Sequence, residues 1–196
     1  MTNRERIIEI SVRHKLSHMG SCLTALPIIE EIYVKKKPED KFVLSAGHAH
    51  LAHAVVIEAS GGISAEESIG RFGIHCDRKA GCDCSTGSLG QGLPVAVGMA
   101  LAERDKDIYC LVSDGETAEG SCYEALEVAH QHKLTNLHIF VNANGMSAYD
   151  YVNTFHLRDR LEPFDLDIQI RETDANLGTW ARGLNQHYKV ADKDLR

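Results

Sequence analysis

Apolar residues recur with helical spacing through Ile7, Ile8, Ile10 and Val12, which predicts an amphipathic helix over residues 3–15. A polar turn, SHMGS (17–21), follows it. Residues 22–36 then read as a second helix that stops ahead of Pro38. FVLSA (42–46) is a short apolar run of buried-strand type, with a third helix expected over about 48–59. Residues 60–89 break the pattern. They are rich in Gly, Cys and charge, with one short helix near 64–71, and long irregular segments of this kind often carry function. Regular alternation then resumes with a helix at 91–104, a strand at 108–113 (IYCLVS), a helix at 119–132, a strand at 137–142 (LHIFVN) and a last strand within DLDIQIRE (165–172).

Strands that alternate with helices, and that are apolar and β-branched without clean alternation, indicate a parallel sheet covered on both faces. The expected fold class is therefore a three-layer α/β/α sandwich around a mostly parallel sheet. Right-handed crossovers bring the carboxyl ends of successive strands to one edge, and ligands bind in the crevice outside that edge. SAGH (45–48), SDGE (113–116) and NANG (142–145) all fall at predicted strand ends.

Asp114 and Asn144 lie 30 positions apart, the length of one βαβ step, so both side chains reach the same edge. A carboxylate, an amide oxygen and nearby carbonyls are hard ligands of the kind that hold Mg²⁺ or Ca²⁺, and a magnesium ion held by so few groups completes its shell with phosphates and water. The amino end of the following helix favours an anion at the same place. A metal–diphosphate site follows from these features taken together. Taken singly, Asp114 is also an ordinary helix cap and Asn144-Gly145 an ordinary turn. The other glycine turn, Gly87-Ser-Leu-Gly90-Gln-Gly92, has its glycines in the reverse order from a dinucleotide fingerprint, and no strong strand precedes it.

Composition narrows the classes. The 196 residues are 43% hydrophobic, enough for a sizeable core, and the net charge of −7 argues against a general binder of nucleic acid or of membrane surfaces. No apolar run is long enough to span a bilayer and no secretory core opens the chain, so a cytoplasmic location is expected. Six cysteines in such a chain are expected to be free. His75, Cys76, Cys82 and Cys84 present a possible zinc set. Its Cys-x-Cys spacing is weaker than a paired Cys-x-x-Cys, no second pair follows, and zinc is not the expected reading. His18 in a turn, His48 at a strand end and His75 in the irregular segment are candidates for proton transfer. His14, His50, His53, His130, His132 and His138 are read as ordinary core or solvated histidines.

SDGETAEGSCYEALEVAHQHKLTNLHIFVNANGMS resembles the thiamine-diphosphate motif, STGSLGQGLPVAVGMALA a transketolase glycine turn, SHMGSCLT that family's Ser-Gly-His-x-Gly turn, and LSAGHAH its Ser-x-Gly-His strand end. Four motifs in order across about residues 10–150 resemble the N-terminal, diphosphate-binding half of transketolase. Ser113 stands where the motif opens with glycine, and Ser88 where the family has proline.

The resemblance implies thiamine diphosphate with Mg²⁺ (or Ca²⁺) held by Asp114, Asn144 and the Met146 carbonyl. It implies cofactor contacts from His48, Gly87, Ser88, Leu89, Gly115, Glu116, Asn144 and, by a looser match, His187. It implies catalytic roles for His18, His48 and His75, and for Glu119 as a relay at a subunit contact. It further implies that residues 1–196 are one cofactor-binding domain. The pyrimidine-binding domain is then expected on a separate chain, in a homodimer or an α2β2 assembly acting on sugar substrates expected to be phosphorylated. Nucleic acid and membrane are not expected as partners. Leu89, Met146 and the Gly90–Ala96 turn are expected to lie uncovered where that partner docks. The expected reaction is transfer of a two-carbon ketol unit from a ketose to an aldose. A deoxyxylulose-phosphate-synthase-like or other thiamine-dependent acyl or ketol transferase, and a non-catalytic cofactor-binding module, are the alternatives.

Overall fold

The computed structural model describes residues 1–195. Helix α1 (Asn3–His14) opens with a reciprocal cap. The Glu5 amide donates to the Thr2 hydroxyl at 3.2 Å, and the Thr2 amide to the Glu5 carboxylate at 2.7 Å. Helix α2 (Met19–Lys35) starts three residues earlier than its apolar run predicts, because His18, at φ +62°, turns the chain directly into it. Pro27 lies inside α2 on its exposed face, and its missing N–H leaves the Leu23 carbonyl without the usual helical donor.

The chain continues through β1 (Lys41–Leu44), a 3-10 turn (Gly47–Ala49), α3 (His50–Ala59) and α4 (Ala65–Phe72). Residues 73–91 are irregular, as expected, apart from a 3-10 turn at Arg78–Ala80. Then come α5 (Gly92–Ala102), β2 (Ile108–Ser113), α6 (Gly120–Gln131), β3 (Leu137–Ala143), α7 (Thr154–Leu161), β4 (Ile168–Glu172) and α8 (Asn185–Tyr188). Sequence periodicity misses α7 and α8. Only Leu157 and Leu161 of α7 are buried, too few to register as a period, and its start is fixed by Asn153, whose side chain accepts from the amides of Phe155 and His156.

The four strands pair in parallel in the order β1-β2-β3-β4. Alternate residues point to opposite faces. Phe42, Leu44, Tyr109, Leu111 and Phe140 pack with α1, α2 and α3, whereas Val43, Ile108, Cys110, Val112, Ile139 and Val141 pack with α5, α6 and α7. This is the three-layer α/β/α architecture expected from the sequence. Because all four strands are parallel, the segments following Leu44, Ser113, Ala143 and Glu172 emerge along one edge. No helix among the described residues is long and apolar enough to cross a membrane.

The chain after β4 runs back over α1 and α2. Arg4 donates to the Ala175 carbonyl at 2.9 Å and the Ala191 amide to the Leu16 carbonyl at 2.7 Å. Gly20, in the first turn of α2, lets this segment in, since a Cβ there would stand 2.7 Å from the Cβ of Gln186. The edge strand β4, only half-buried, is tied to α2 by an ion pair. Arg171 donates to Glu31 through Nε at 3.0 Å and Nη2 at 2.7 Å, and Lys35 donates to the same carboxylate at 2.6 Å.

Arg171 first, and Lys35 with it, hold the Glu31 carboxyl down to about 2. A carboxyl depressed in the folded state adds stability that is present above its unfolded value and lost as pH falls through the folded one. Because both partners are partly exposed, Glu31→Gln is expected to cost about 1 kcal/mol at pH 7. The difference from the parent should shrink between about pH 4.5 and pH 2, as read by urea unfolding across that range.

Candidate active site

Two strand ends and the first glycine turn are joined by one buried carboxylate. Glu116 is fully buried. Its Oε1 accepts from the Ser45 hydroxyl at 2.6 Å and the Gly90 amide at 3.0 Å, and its Oε2 accepts from the Ser113 amide at 2.9 Å and hydroxyl at 3.2 Å. Burial pushes its pKa up against these donors. The first glycine turn is thereby fixed to the ends of β1 and β2. Gly92 permits the closest approach, because a Cβ there would meet the Ser45 Cα at 2.5 Å, and Gly90 sits at φ +73° against the Glu119 side chain. Glu116 therefore spends its carboxylate on the loops and is not among the residues that line the cavity described below.

Asp114, also buried, directly follows β2. It accepts from the Gly115 amide at 2.9 Å and, across the sheet edge, from the Gly145 amide at 2.7 Å. Burial raises its pKa to about 6 despite these bonds. No cation pairs with it among the described residues. Asn144 and Met146 follow β3, with the Met146 amide donating to the Asn144 side-chain oxygen at 2.9 Å. The local pairing runs from the Val152 amide to the Gly145 carbonyl and from the Ser147 amide to the Asp150 carbonyl, so it leaves the Met146 carbonyl out. A carboxylate, an amide oxygen and a spare carbonyl thus gather beside Gly115, whose Cα lies against Ser147 so closely that a Cβ would stand 3.0 Å from it. An uncompensated buried carboxylate amid hard oxygen donors fits a small divalent cation.

A cavity of about 210 Å³ opens beside this group, lined among others by His18, His48, His75, Leu89, Met146 and His187. The rings of His18, His48 and His187 lie 5.3–5.6 Å apart in all three pairs. His18 and His187 face each other through Nδ1 at 3.3 Å, and the Ser21 hydroxyl lies 3.1 Å from the same His187 nitrogen. Backbone holds the cluster too, since the His18 amide donates to the His187 carbonyl at 2.8 Å. Burial, then the neighbouring imidazoles, lowers His18 to about 4 and His48 to about 3; burial alone lowers His187. All three are neutral at pH 7, and a short Nδ1–Nδ1 contact requires one ring to donate and the other to accept.

The structure thus brings together His18, His48, His75, Gly87, Leu89, Gly115, Asn144, Met146 and His187 around one cavity, with Asp114 directly behind it. Ser88 is exposed on the outside of its turn, and Glu119 begins α6 beside Gly90, outside the cavity lining. Sequence reasoning missed Thr24 and Asn142. The Thr24 hydroxyl donates to the Gly20 carbonyl at 2.8 Å and accepts from the side-chain amides of Asn142 at 2.9 Å and Asn144 at 3.3 Å. The Ser21/Thr24 spacing, one helical turn apart in the SHMGSCLT motif, is the signal that could have found it. The expected uncovered turn is also revised. Gly90, Gly92 and Leu93 are buried and Leu89 and Met146 half-buried; within the turn Val95 is the exposed apolar side chain, and Tyr188 is the exposed aromatic that lines the cavity.

A family model described as 1-deoxy-D-xylulose-5-phosphate synthase matches residues 2–164. One of the subunits of the apulose-4-phosphate transketolase of Phocaeicola vulgatus is 34% identical over 191 residues, covering 85% of this chain and 68% of that one. The 6-deoxy-6-sulfo-D-fructose transketolase subunit SqwG of a Clostridium species is 32% identical, over 75% of this chain and 62% of that one. The crystal structure of Campylobacter jejuni transketolase superposes with a TM-score of 0.66 at 26% identity, over 76% of this chain and 31% of its own. The chain thus spans about two thirds of these smaller relatives and under a third of that transketolase.

Two measurements check this account of the site. Glu116→Ala strips the partner from the Ser45 hydroxyl and from the Gly90 and Ser113 amides, and is expected to destabilise by about 3 kcal/mol or more; a loss under about 1 kcal/mol in denaturant unfolding contradicts the latch. His18 is kept neutral in the folded protein and protonates near 6.5 when unfolded, so its share of stability is present above that pH and lost as pH falls toward about 4. His18→Asn, which keeps a residue tolerant of φ > 0, should flatten the acid side of the stability curve by about 1–2 kcal/mol between pH 6.5 and 4.5.

Proposed function

The chain belongs to the transketolase N-terminal-domain family, a family of thiamine-dependent transferases, and from that premise we propose that it is the cofactor-holding subunit of a two-chain transketolase. It binds thiamine diphosphate and Mg²⁺, and moves a two-carbon ketol unit from a ketose to an aldose together with a second chain that carries the pyrimidine-binding domain. The observation that carries this reading is the buried, uncompensated Asp114 carboxylate, set with Asn144 and the Met146 carbonyl at the rim of a histidine-lined cavity. The naming of two relatives as transketolase subunits supports the partner.

Asp114, Asn144 and Met146 hold the metal, and Gly115 allows the diphosphate close to the backbone. Leu89, presented by the Gly87–Gly90 turn on the cavity wall, would offer the cofactor's aromatic ring an apolar surface. Bound thiamine diphosphate supplies the nucleophilic carbon that breaks and re-forms the ketose carbon–carbon bond. The chain's own work is orientation and proton placement. His18, His48 and His187 are neutral at pH 7, so they offer fixed donors and acceptors to sugar hydroxyls without adding positive charge beside the metal. His75, exposed where it lines the cavity, is the histidine placed to meet substrate as it enters. Glu119 acts at the contact between chains.

A deoxyxylulose-phosphate-synthase-like acyl transfer is the second reading, and the description of the matching family model favours it. Assays of the reconstituted pair with ketose and with 2-oxo acid donors distinguish the two. Asp114→Ala is expected to weaken Mg²⁺-dependent binding of thiamine diphosphate at least tenfold, about 1.4 kcal/mol, in calorimetry with the partner chain present. Equal affinity in parent and variant removes the metal assignment.

A further inference from the structure

Outside the lining of the cavity, four side chains converge in the core. His50 and His53 project from one face of α3, three residues apart, and Cys76 and Cys82 come from the irregular segment that follows α4. All four are buried, with exposures of 0%, 2%, 4% and 6% in that order. One nitrogen or sulfur from each lies within 4.8 Å of all the others. We propose that His50, His53, Cys76 and Cys82 form a closed, tetrahedral zinc site that staples the irregular segment to α3.

The geometry is that of a ligand shell. Cys82 Sγ stands 3.6 Å from His53 Nδ1 and 3.8 Å from His50 Nδ1. A tetrahedral zinc with its usual bond lengths to sulfur and nitrogen holds such atoms about 3.6 Å apart. The outer nitrogens of both rings are already engaged. His50 Nε2 pairs with the Ser68 hydroxyl at 2.9 Å and His53 Nε2 with the Tyr33 hydroxyl at 2.7 Å, the kind of outer contact that orients a metal-bound imidazole. Both inner nitrogens are thereby turned on a single sulfur. Sulfur is a weak hydrogen-bond partner, and a cation coordinated by all four groups binds them far more strongly than they pair with one another. Two thiolates and two imidazoles are soft donors, suited to zinc and unsuited to the magnesium expected at Asp114.

This set differs from the one the sequence suggests. Cys84 is absent from it and turns its sulfur to the Ser85 carbonyl, and His75 faces Gly87 at the cavity. The pairing His-x-x-His with Cys-x₅-Cys is visible only once α3 and the segment are folded together. The site's neighbours give it a role. Cys76 precedes the Asp77–Ala80 turn and its carbonyl accepts from the Thr86 amide at 3.2 Å, while the Thr86 hydroxyl donates to the Leu44 carbonyl at 2.6 Å. Bound zinc thus fixes the segment that carries both His75 and the Gly87 turn.

Full-length protein purified anaerobically from zinc-supplemented cells, without chelator, is analysed by inductively coupled plasma mass spectrometry. About one zinc per chain is expected. Cobalt-exchanged protein should show tetrahedral d–d bands with thiolate charge transfer. Cys82→Ser and His53→Gln should lose the metal, and Cys84→Ser should keep it. Should the first two fail to fold, the parent and the Cys84→Ser protein still decide the matter. Zinc below about a tenth of an equivalent even after incubation with the ion, an octahedral cobalt spectrum, a Cys76–Cys82 disulfide in the anaerobic protein, or loss of zinc in Cys84→Ser overturns the proposal.

Discussion

A charge placed in a protein interior has to be met by donors on each of its lone pairs. Glu116 imposes that demand at the centre of this molecule. Its four hydrogen bonds come from the end of β1, the end of β2 and the first glycine turn, which are far apart in sequence. Satisfying one carboxylate therefore fixes three loops relative to one another. The cavity wall at Gly87–Leu89 and the oxygen group at Asp114 keep their separation because this anchor lies between them.

Burial acts on the site in two opposite senses. It lowers His18, His48 and His187 so that they stay neutral, and it raises Asp114 because no cation compensates the carboxylate. The cavity therefore offers directional hydrogen bonds on one side and an unpaired negative charge on the other. Under the proposed function a magnesium ion would supply the missing positive charge, and the neutral histidines would suit the uncharged hydroxyls of a sugar. Thr24 keeps the two halves in register by holding the side chains of Asn142 and Asn144.

The segment between α4 and α5 gains rigidity without regular secondary structure. Asp83 accepts from the Phe42 amide at 2.9 Å, Thr86 reaches Leu44, and the Cys76 and Cys82 side chains turn toward α3. These are single long-range contacts between side chains and backbone. A loop that must present His75 and Gly87 accurately needs such anchors, since it has no hydrogen-bond ladder of its own.

Local rules determined much of this protein from its sequence. Hydrophobic period gave the four strands and helices α1 to α6, and the alternation of strand and helix gave a parallel sheet with its carboxyl ends on one edge. The spacing of Asp114 and Asn144 then placed both at that edge, because a βαβ step has a nearly fixed length. Contacts between distant segments were outside the reach of those rules. Only the tertiary structure set His187 against His18, because α8 is held by packing on Gly20 and has no periodic signal. It turned the Glu116 carboxylate inward to the loops, a set of partners that spacing along the chain does not reveal. It also set His50 and His53 of α3 against Cys76 and Cys82, in place of His75 and Cys84. Chain spacing specifies geometry within one element or one crossover; where two irregular segments meet, the packing of the whole core decides which side chains face each other.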